Sequence, residues 1–320
     1  MNSFVIKKHI DSDRLNYYLS LITNNQYSNG GVLTKQLEER ARVMLKIHED
    51  KAIIVTSSGT SALDAILNAI ELKHNKFIMP TTQAFTFPCN FQGAAKYARV
   101  VDIDDRQQMK LDNIQGNLII ATNCFGHLQN LNKIEHLKGS KFLVYDNAAT
   151  PYSFYEDSNA CNYGLASFVS LHHTKHIGFG EGGLVIIDKQ YENEVRQVIN
   201  FGKKGQNPSR LGGNYKMSEI SAAAILQWWD QFNIDAMRAS LIDVYRRKRS
   251  HYIEHKLFAT FGNSIFPSCL PIIHDNTVTA SDYPKEDMRK YYQPLLPLKN
   301  STKLYNNIAC LPITEGVSDD

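Results

Sequence analysis

The chain has 320 residues, 43% hydrophobic and 21% charged, which is enough apolar material for about two domains with a large core that needs no disulfide or metal staple. Lys and Arg number 35 against 32 Asp and Glu, a net charge of +3 that argues against a nucleic-acid partner held by bulk positive charge. No window approaches the roughly 18 apolar residues of a membrane helix, and the scattered Cys89, Cys124, Cys161, Cys269 and Cys310 form no CxxC pair that would read as a disulfide framework or zinc knuckle.

The opening stretch to Tyr18 lacks the apolar centre and small-residue cleavage site of a signal peptide, so a reduced, cytoplasmic, globular protein is expected. From about residue 50 to 190, short apolar runs alternate with helical patterns. Ala52 to Thr56 reads as a strand, and Ser61 to Leu72 as a helix whose apolar face carries Ala62, Leu63, Ile66, Ala69 and Ile70. Phe77 to Met79 reads as a short strand stopped by Pro80. Further strands are predicted at Arg99–Ile103, Asn117–Thr122, Lys141–Tyr145, Ala166–Leu171 and Gly183–Ile187. Several are apolar throughout, as in a sheet covered on both faces, which points to a mostly parallel α/β domain. Ser218 to about Leu257 reads as almost wholly helical, and 258 to 320 as a proline-rich tail of short elements. The expected division is a large α/β domain over 1–235 and a smaller C-terminal domain over 236–320.

Candidate chemistry lies at strand ends. Ser57-Ser58-Gly59-Thr60 follows a strand and opens a helix, where small residues let backbone N–H groups approach an anion. No Lys follows the glycine, so it is not a P-loop, and an ordinary helix N-cap is the plainer alternative. Gly178 to Gly183 precedes a strand, the wrong context for a Rossmann turn, although its glycines would let the chain pass close to a neighbour. Lys175 and Asp146 each leave the carboxyl end of a predicted strand, where α/β sheets bind ligands. Taken singly, each also reads as a solvated lysine or a turn aspartate. His172 and His173 point in opposite directions with no third ligand, which argues against a metal. Arg246-Arg247-Lys248-Arg249 spreads around a helix and makes no basic stripe.

In order along the chain, Tyr27-Ser28-Asn29-Gly30-Gly31 with Leu37-Glu38, Ser58 to Leu63, Phe125-Gly126-His127, Ser170 to Lys175, the Gly178–Gly183 loop, Gly213 to Ser218 with Ala222-Ala223, Arg289 to Leu295 and Leu311-Pro312 form one constellation. This sequence resembles the DegT/StrS family of pyridoxal-phosphate (PLP) sugar aminotransferases, which have fold type I, the fold of aspartate aminotransferase. The resemblance implies that Lys175 carries PLP as a Schiff base and shuttles the proton, and that Asp146 keeps the pyridine nitrogen protonated. It further implies that Gly59, Thr60 and Ser170 hold the phosphate, that Phe85 stacks on the ring with Phe87 two residues away, and that Asn214 reaches the phosphate of the neighbouring subunit. A homodimer with shared sites is thereby implied. The nearly all-round apolar helix from Met217 to Trp229, which needs burial on more than one side, agrees with it.

The implied reaction converts a nucleotide-linked keto-sugar to an amino sugar with L-glutamate as donor. The branch acting on dTDP-4-dehydro-6-deoxyglucose, for O-antigen or related glycan synthesis, fits the tail motif. Three positions depart from the family's pattern. Ala149 stands where Gln or His is usual, Gly31 where Pro is usual and Lys216 where Arg is common. The chain also stops at Asp320, where family members continue into a last helix. The sugar 3-dehydratase branch replaces the lysine with histidine, against which Lys175 argues. A non-catalytic sensor or scaffold of the same fold stays open at Ala149.

Overall fold

A computed structural model of the protein describes residues 3–112, 114–205 and 207–314; the chain end noted above lies outside them. Helices α1 (Ser12–Ser20) and α2 (Val32–Leu45) lead into β1 (Lys51–Thr56) and α3 (Gly59–His74). Then come β2 (Pro80–Gln83), β3 (Arg99–Val101), β4 (Leu118–Thr122), α4 (Leu131–Glu135) and β5 (Phe142–Asp146). The hairpin β6 (Phe154–Tyr155) and β7 (Ser158–Asn159) precedes β8 (Ala166–Ser170), β9 (Gly183–Asp188) and α5 (Glu192–Ile199). The ribbon β10 (Lys203–Lys204) and β11 (Asn207–Pro208) is followed by α6 (Glu219–Trp229) and α7 (Ile234–Arg249). The described chain closes with β12 (Lys256–Leu257), β13 (Leu270–Ile273), α8 (Lys299–Asn307) and β14 (Ile308–Leu311).

Seven strands form the main sheet in the order β1-β9-β8-β5-β4-β2-β3. Only β9 opposes its neighbours β1 and β8, and every other pairing is parallel. The expected mostly parallel α/β architecture is therefore what forms. Apolar strands such as Lys-Ala-Ile-Ile-Val-Thr of β1 are buried along their whole length because helices cover both faces. Side chains of α1, α2, α6 and α7 fill one core, and those of α3 and α5 fill the other. No helix among the described residues is long and apolar enough to cross a membrane.

Two expected elements are corrected. The strand anticipated at 77–79 lies instead at Pro80–Gln83, where the first-residue proline loses no ladder bond it needs. Its Pro-Thr-Thr-Gln sequence hides it from a reading of apolar runs. Two of its buried polar side chains are hydrogen-bonded, Thr81 Oγ1 accepting from the Gly116 N–H (3.2 Å) and Gln83 Nε2 donating to the Phe85 carbonyl (3.0 Å), while the buried Thr82 hydroxyl finds no partner. The single helix anticipated from Ser218 breaks between Asp230 and Asn233, whose side chain accepts from the Asp235 and Ala236 N–H groups to start α7. Helix α6 is buried within its own chain, packed on α1 and α2. Ala222, Ala223, Ile225, Leu226, Trp228 and Trp229 are all buried there, and Ile220 alone of its large apolar side chains stays exposed.

A buried carboxylate from α6 holds the start of α2. Glu219 is fully buried and accepts from the N–H groups of Gly31 (3.0 Å) and Leu33 (2.6 Å) and from the Thr34 hydroxyl (2.7 Å). Gly31, the N-cap, makes no side-chain cap, so Glu219 supplies the missing acceptor at the positive end of the helix. Gly31 also gives it an N–H that the family's proline could not. The C-terminal elements are tied in similarly: Asp102, just past β3, accepts from the N–H groups of Asn300 (2.8 Å) and Ser301 (2.9 Å) at the start of α8. Glu219→Ala should cost about 3 kcal/mol in urea unfolding, because several buried donors lose their acceptor, and Glu219→Gln should cost about half as much.

Candidate active site

The carboxyl ends of β1, β4, β5 and β8 open on one cavity of about 440 Å³, where parallel sheets bind ligands. It is lined by Gly59 and Thr60 after β1, Thr122 at the end of β4, Asp146 at the end of β5, and Ser170 and Lys175 at and after β8. Sequence reasoning singled out all of these except Thr122, and the sheet brings them together. A second depression of about 630 Å³ lies against β1, α2 and α5; Arg196 and Glu38 pair within it at 2.9 Å, and the motif residues Asn29, Gly30 and Lys216 line it, but none of the expected cofactor-binding residues does.

Asp146 is almost fully buried at the cavity floor. One carboxylate oxygen accepts from the Ala148 N–H (3.0 Å), the other from Asn90 Nδ2 (2.9 Å) and the Thr122 hydroxyl (3.4 Å). Burial pushes this carboxyl above its ordinary range, opposed by those donors and by the charge of Lys175. Burial likewise pulls the Lys175 ammonium below the ordinary lysine range, opposed chiefly by the Asp146 carboxylate. Each group disfavours its own charge in this cavity, and each is eased by the other. A lysine with a lowered proton affinity is a better nucleophile at neutral pH.

Around Ser58 the chain ends crowd together. Ser58 Oγ accepts from the Ser61 N–H (3.1 Å) and so caps α3, which presents its N-terminal N–H groups to the cavity. A Cβ on Gly59 would stand 3.1 Å from Ser170 Cβ, and one on Gly183 would stand 2.3 Å from the Ser58 carbonyl oxygen. Only glycine lets β1, β8 and β9 converge here, which is the close approach anticipated for the glycine loop. The convergence sets the α3 N-terminus and Ser170 side by side on the cavity wall.

Phe85 does not line the cavity in this structure. It is fully buried behind the cavity, stacked on Phe258 with ring centroids 6.1 Å apart and edge-on to Tyr292 at 5.9 Å. Phe87, 57% exposed and on the cavity wall, is the aromatic available to a ring. The chain bends at residues 84–86 beyond β2, so the two phenylalanines, which strand alternation would place on one face, take different directions. Asn214 is exposed, pairs with Asn200 in an isolated bridge, and does not line the cavity of its own chain. Ala149 does line it.

Asn90 carried no sequence signal. It is buried, and besides Asp146 its amide reaches the hydroxyls of Thr86 (2.8 Å) and Thr122 (3.0 Å), a network visible only after β2, β4 and β5 pair. At the cavity rim the tail motif meets Phe4 and Val5, which carried no sequence signal. Phe4 and Val5 from the N-terminus meet Arg289, Tyr291 and Tyr292 from the tail, with the Arg289 guanidinium 4.5 Å from the centre of the Phe4 ring.

This sheet, with its single reversed strand and a lysine and aspartate at its carboxyl ends, defines the chain as a fold type I PLP-dependent transferase in architecture. More particularly, the chain belongs to the DegT/DnrJ/EryC1/StrS aminotransferase family, whose profile matches residues 8–253. It is 25% identical over 221 residues to GDP-perosamine synthase of Escherichia coli O157:H7, spanning 62% of this chain and 59% of that protein. It superposes on DesI, solved in the presence of its TDP-sugar product, with a TM-score of 0.78 and 21% identity over 100% of this chain and 89% of that one. It also superposes on E. coli GDP-4-keto-6-deoxy-D-mannose-3-dehydratase, solved with bound hydrated PLP, with a TM-score of 0.77 and 14% identity over 97% and 92% of the two chains. These structural likenesses define the fold.

Because the folded-state proton affinity of Asp146 is raised, its ionised form costs stability as pH rises above the ordinary carboxylate range. Cofactor-free Asp146→Asn should therefore be more stable than the parent protein at neutral pH. The gain should vanish below roughly pH 4, where the parent carboxyl is protonated in both states, as read from thermal melts across pH.

Proposed function

We propose that the protein is a PLP-dependent aminotransferase that converts the keto group of a nucleotide-linked 4-keto-6-deoxy sugar to an amine, with L-glutamate as donor. The carrying observation is the meeting of the Lys175 amine and the buried Asp146 carboxylate in one cavity beside a glycine-opened helix N-terminus. That donor set fits PLP. The cofactor, when bound, supplies an electron sink through its protonated ring nitrogen. Asp146 holds the proton on that nitrogen, and Asn90 and Thr122 fix the carboxylate that does so. Lys175 Nζ would hold the cofactor through its aldehyde carbon, the carbonyl oxygen leaving as water, and would move a proton at the substrate carbon. The N–H groups of Gly59 and Thr60 and the Ser170 hydroxyl take the phosphate, and Phe87 offers the flat face.

The dTDP-linked sugar remains the preferred substrate on the tail motif, with a GDP-linked sugar the natural competitor given the perosamine synthase relative. A cytoplasmic role in surface-glycan synthesis follows from this reading. Incubation with dTDP- and GDP-linked 4-keto-6-deoxy sugars and glutamate should yield a product with the mass of the amino sugar. A 3-deoxy product would favour a dehydratase, and no transfer with any of them would overturn the reading. Borohydride reduction and peptide mapping should find the cofactor on Lys175, and label on another lysine would overturn that assignment.

The proposed unit is a homodimer in which Asn214 of one subunit reaches the phosphate site of the other, in keeping with its exposure away from its own cavity. Mixing inactive Lys175→Ala and Asn214→Asp chains should restore activity, because a mixed dimer with shared sites has one intact site. No recovery after verified subunit exchange would confine Asn214 to its own chain.

A further inference from the structure

The loop that carries Lys175 is held by side chains remote in sequence. Lys8, in the segment before α1, donates from Nζ to three carbonyls of this loop: His173 (2.7 Å), Lys175 (2.6 Å) and Gly178 (2.5 Å). Between them, the carbonyl of His176 accepts from Trp228 Nε1 (3.2 Å) and that of Ile177 from Trp229 Nε1 (2.6 Å). The Lys8 ammonium also lies 5.6 Å from the centre of the Trp228 ring. An ammonium has three N–H donors, and all three find a carbonyl within one bend of backbone. The carbonyls on both sides of Lys175, and its own, thus converge on a single cation, while two indoles take the two between.

Such an arrangement orients the peptide planes on either side of Lys175. The tight bonds within the loop, Lys175 N–H to the His172 carbonyl (2.8 Å) and Gly178 N–H to the Lys175 carbonyl (2.9 Å), turn the chain but leave its far side open. Lys8 closes that side. It acts from the same N-terminal segment whose Phe4 and Val5 line the cavity.

We infer that Lys8 is a positioning residue that fixes the backbone of residues 173–178 and thereby keeps the Lys175 amine in the desolvated cavity opposite Asp146. This rests on the reading of Lys175 given above. The lowered proton affinity of Lys175 is a consequence of desolvation, so anything that lets the loop swing into water should raise it.

The test uses cofactor-free Lys8→Met and Lys8→Gln proteins, read by competitive acylation of Lys175 across pH and by hydrogen exchange of the amides of residues 172–180. Lys8→Met should raise the acylation midpoint of Lys175 toward the ordinary lysine value. Its reactivity at neutral pH should fall about threefold or more, which corresponds to half a pH unit or more. Exchange in the loop should quicken about tenfold, with a thermal midpoint within a few degrees of the parent. Lys8→Gln, with two N–H donors, should fall between. An unchanged Lys175 midpoint in the variants would overturn the proposal even if stability dropped, because a purely structural lysine would do only that. Should Lys8→Met not fold, Lys8→Gln decides by the same criterion, and failure of both to fold also overturns it by making Lys8 a folding residue. A borohydride label away from Lys175 would instead overturn the assignment of the site while leaving the loop exchange result intact.

Discussion

The cavity depends on keeping one carboxylate, Asp146, almost wholly out of water at the end of β5. A lone buried carboxylate is costly, and the architecture around it is what makes it tolerable. Three neighbouring segments contribute donors: the turn after β5 through Ala148, the end of β4 through Thr122, and the segment after β2 through Asn90. The lysine after β8 contributes the opposing charge. Since these groups come from adjacent parallel strands, the register of β4, β5 and β8 and the environment of Asp146 are one property. A slip of one residue would turn the donors away from the carboxylate.

The same economy of space explains the glycines. Strand β9 runs against its neighbours and enters between the ends of β1 and β8, so that Gly183 faces both Thr56 and Ser170 in the ladder. The chain is close-packed there, with Gly59 against Ser170 and Gly183 against the Ser58 carbonyl. The result is a helix N-terminus whose first N–H groups are open to the cavity instead of being covered by side chains. Buried charge serves structure elsewhere too, where Glu219 gives α2 the acceptor that its glycine N-cap lacks.

The walls of the cavity come from both ends of the chain. Ser3 donates to the Asp287 carboxylate (2.6 Å), Phe4 meets Tyr291 edge-on with centroids 6.1 Å apart, and Lys8 grips the lysine loop. The N-terminal segment therefore runs from the C-terminal elements, past the rim of the cavity, to the backbone of the proposed cofactor lysine.

The sequence alone was enough to establish what short-range patterns encode. The fully apolar runs of β1, β4 and β9 announced a sheet covered on both faces, and Ser58 before a helical period announced the start of α3. The order of motifs marked Lys175, Asp146, Ser170 and the Gly59 turn, all of which the fold gathers around one cavity. Pattern failed where the buried side chains are polar, as in the Thr-Thr-Gln strand β2 and at Asn90. Tertiary structure alone decided which of two nearby phenylalanines faces the cavity, that α6 is covered by its own chain, and that Lys8 reaches the lysine loop. These are matters of side-chain direction and of contacts between residues far apart in sequence. Periodicity reports which face of an element is apolar, and only the folded chain says what that face, or a lone cation, finally meets.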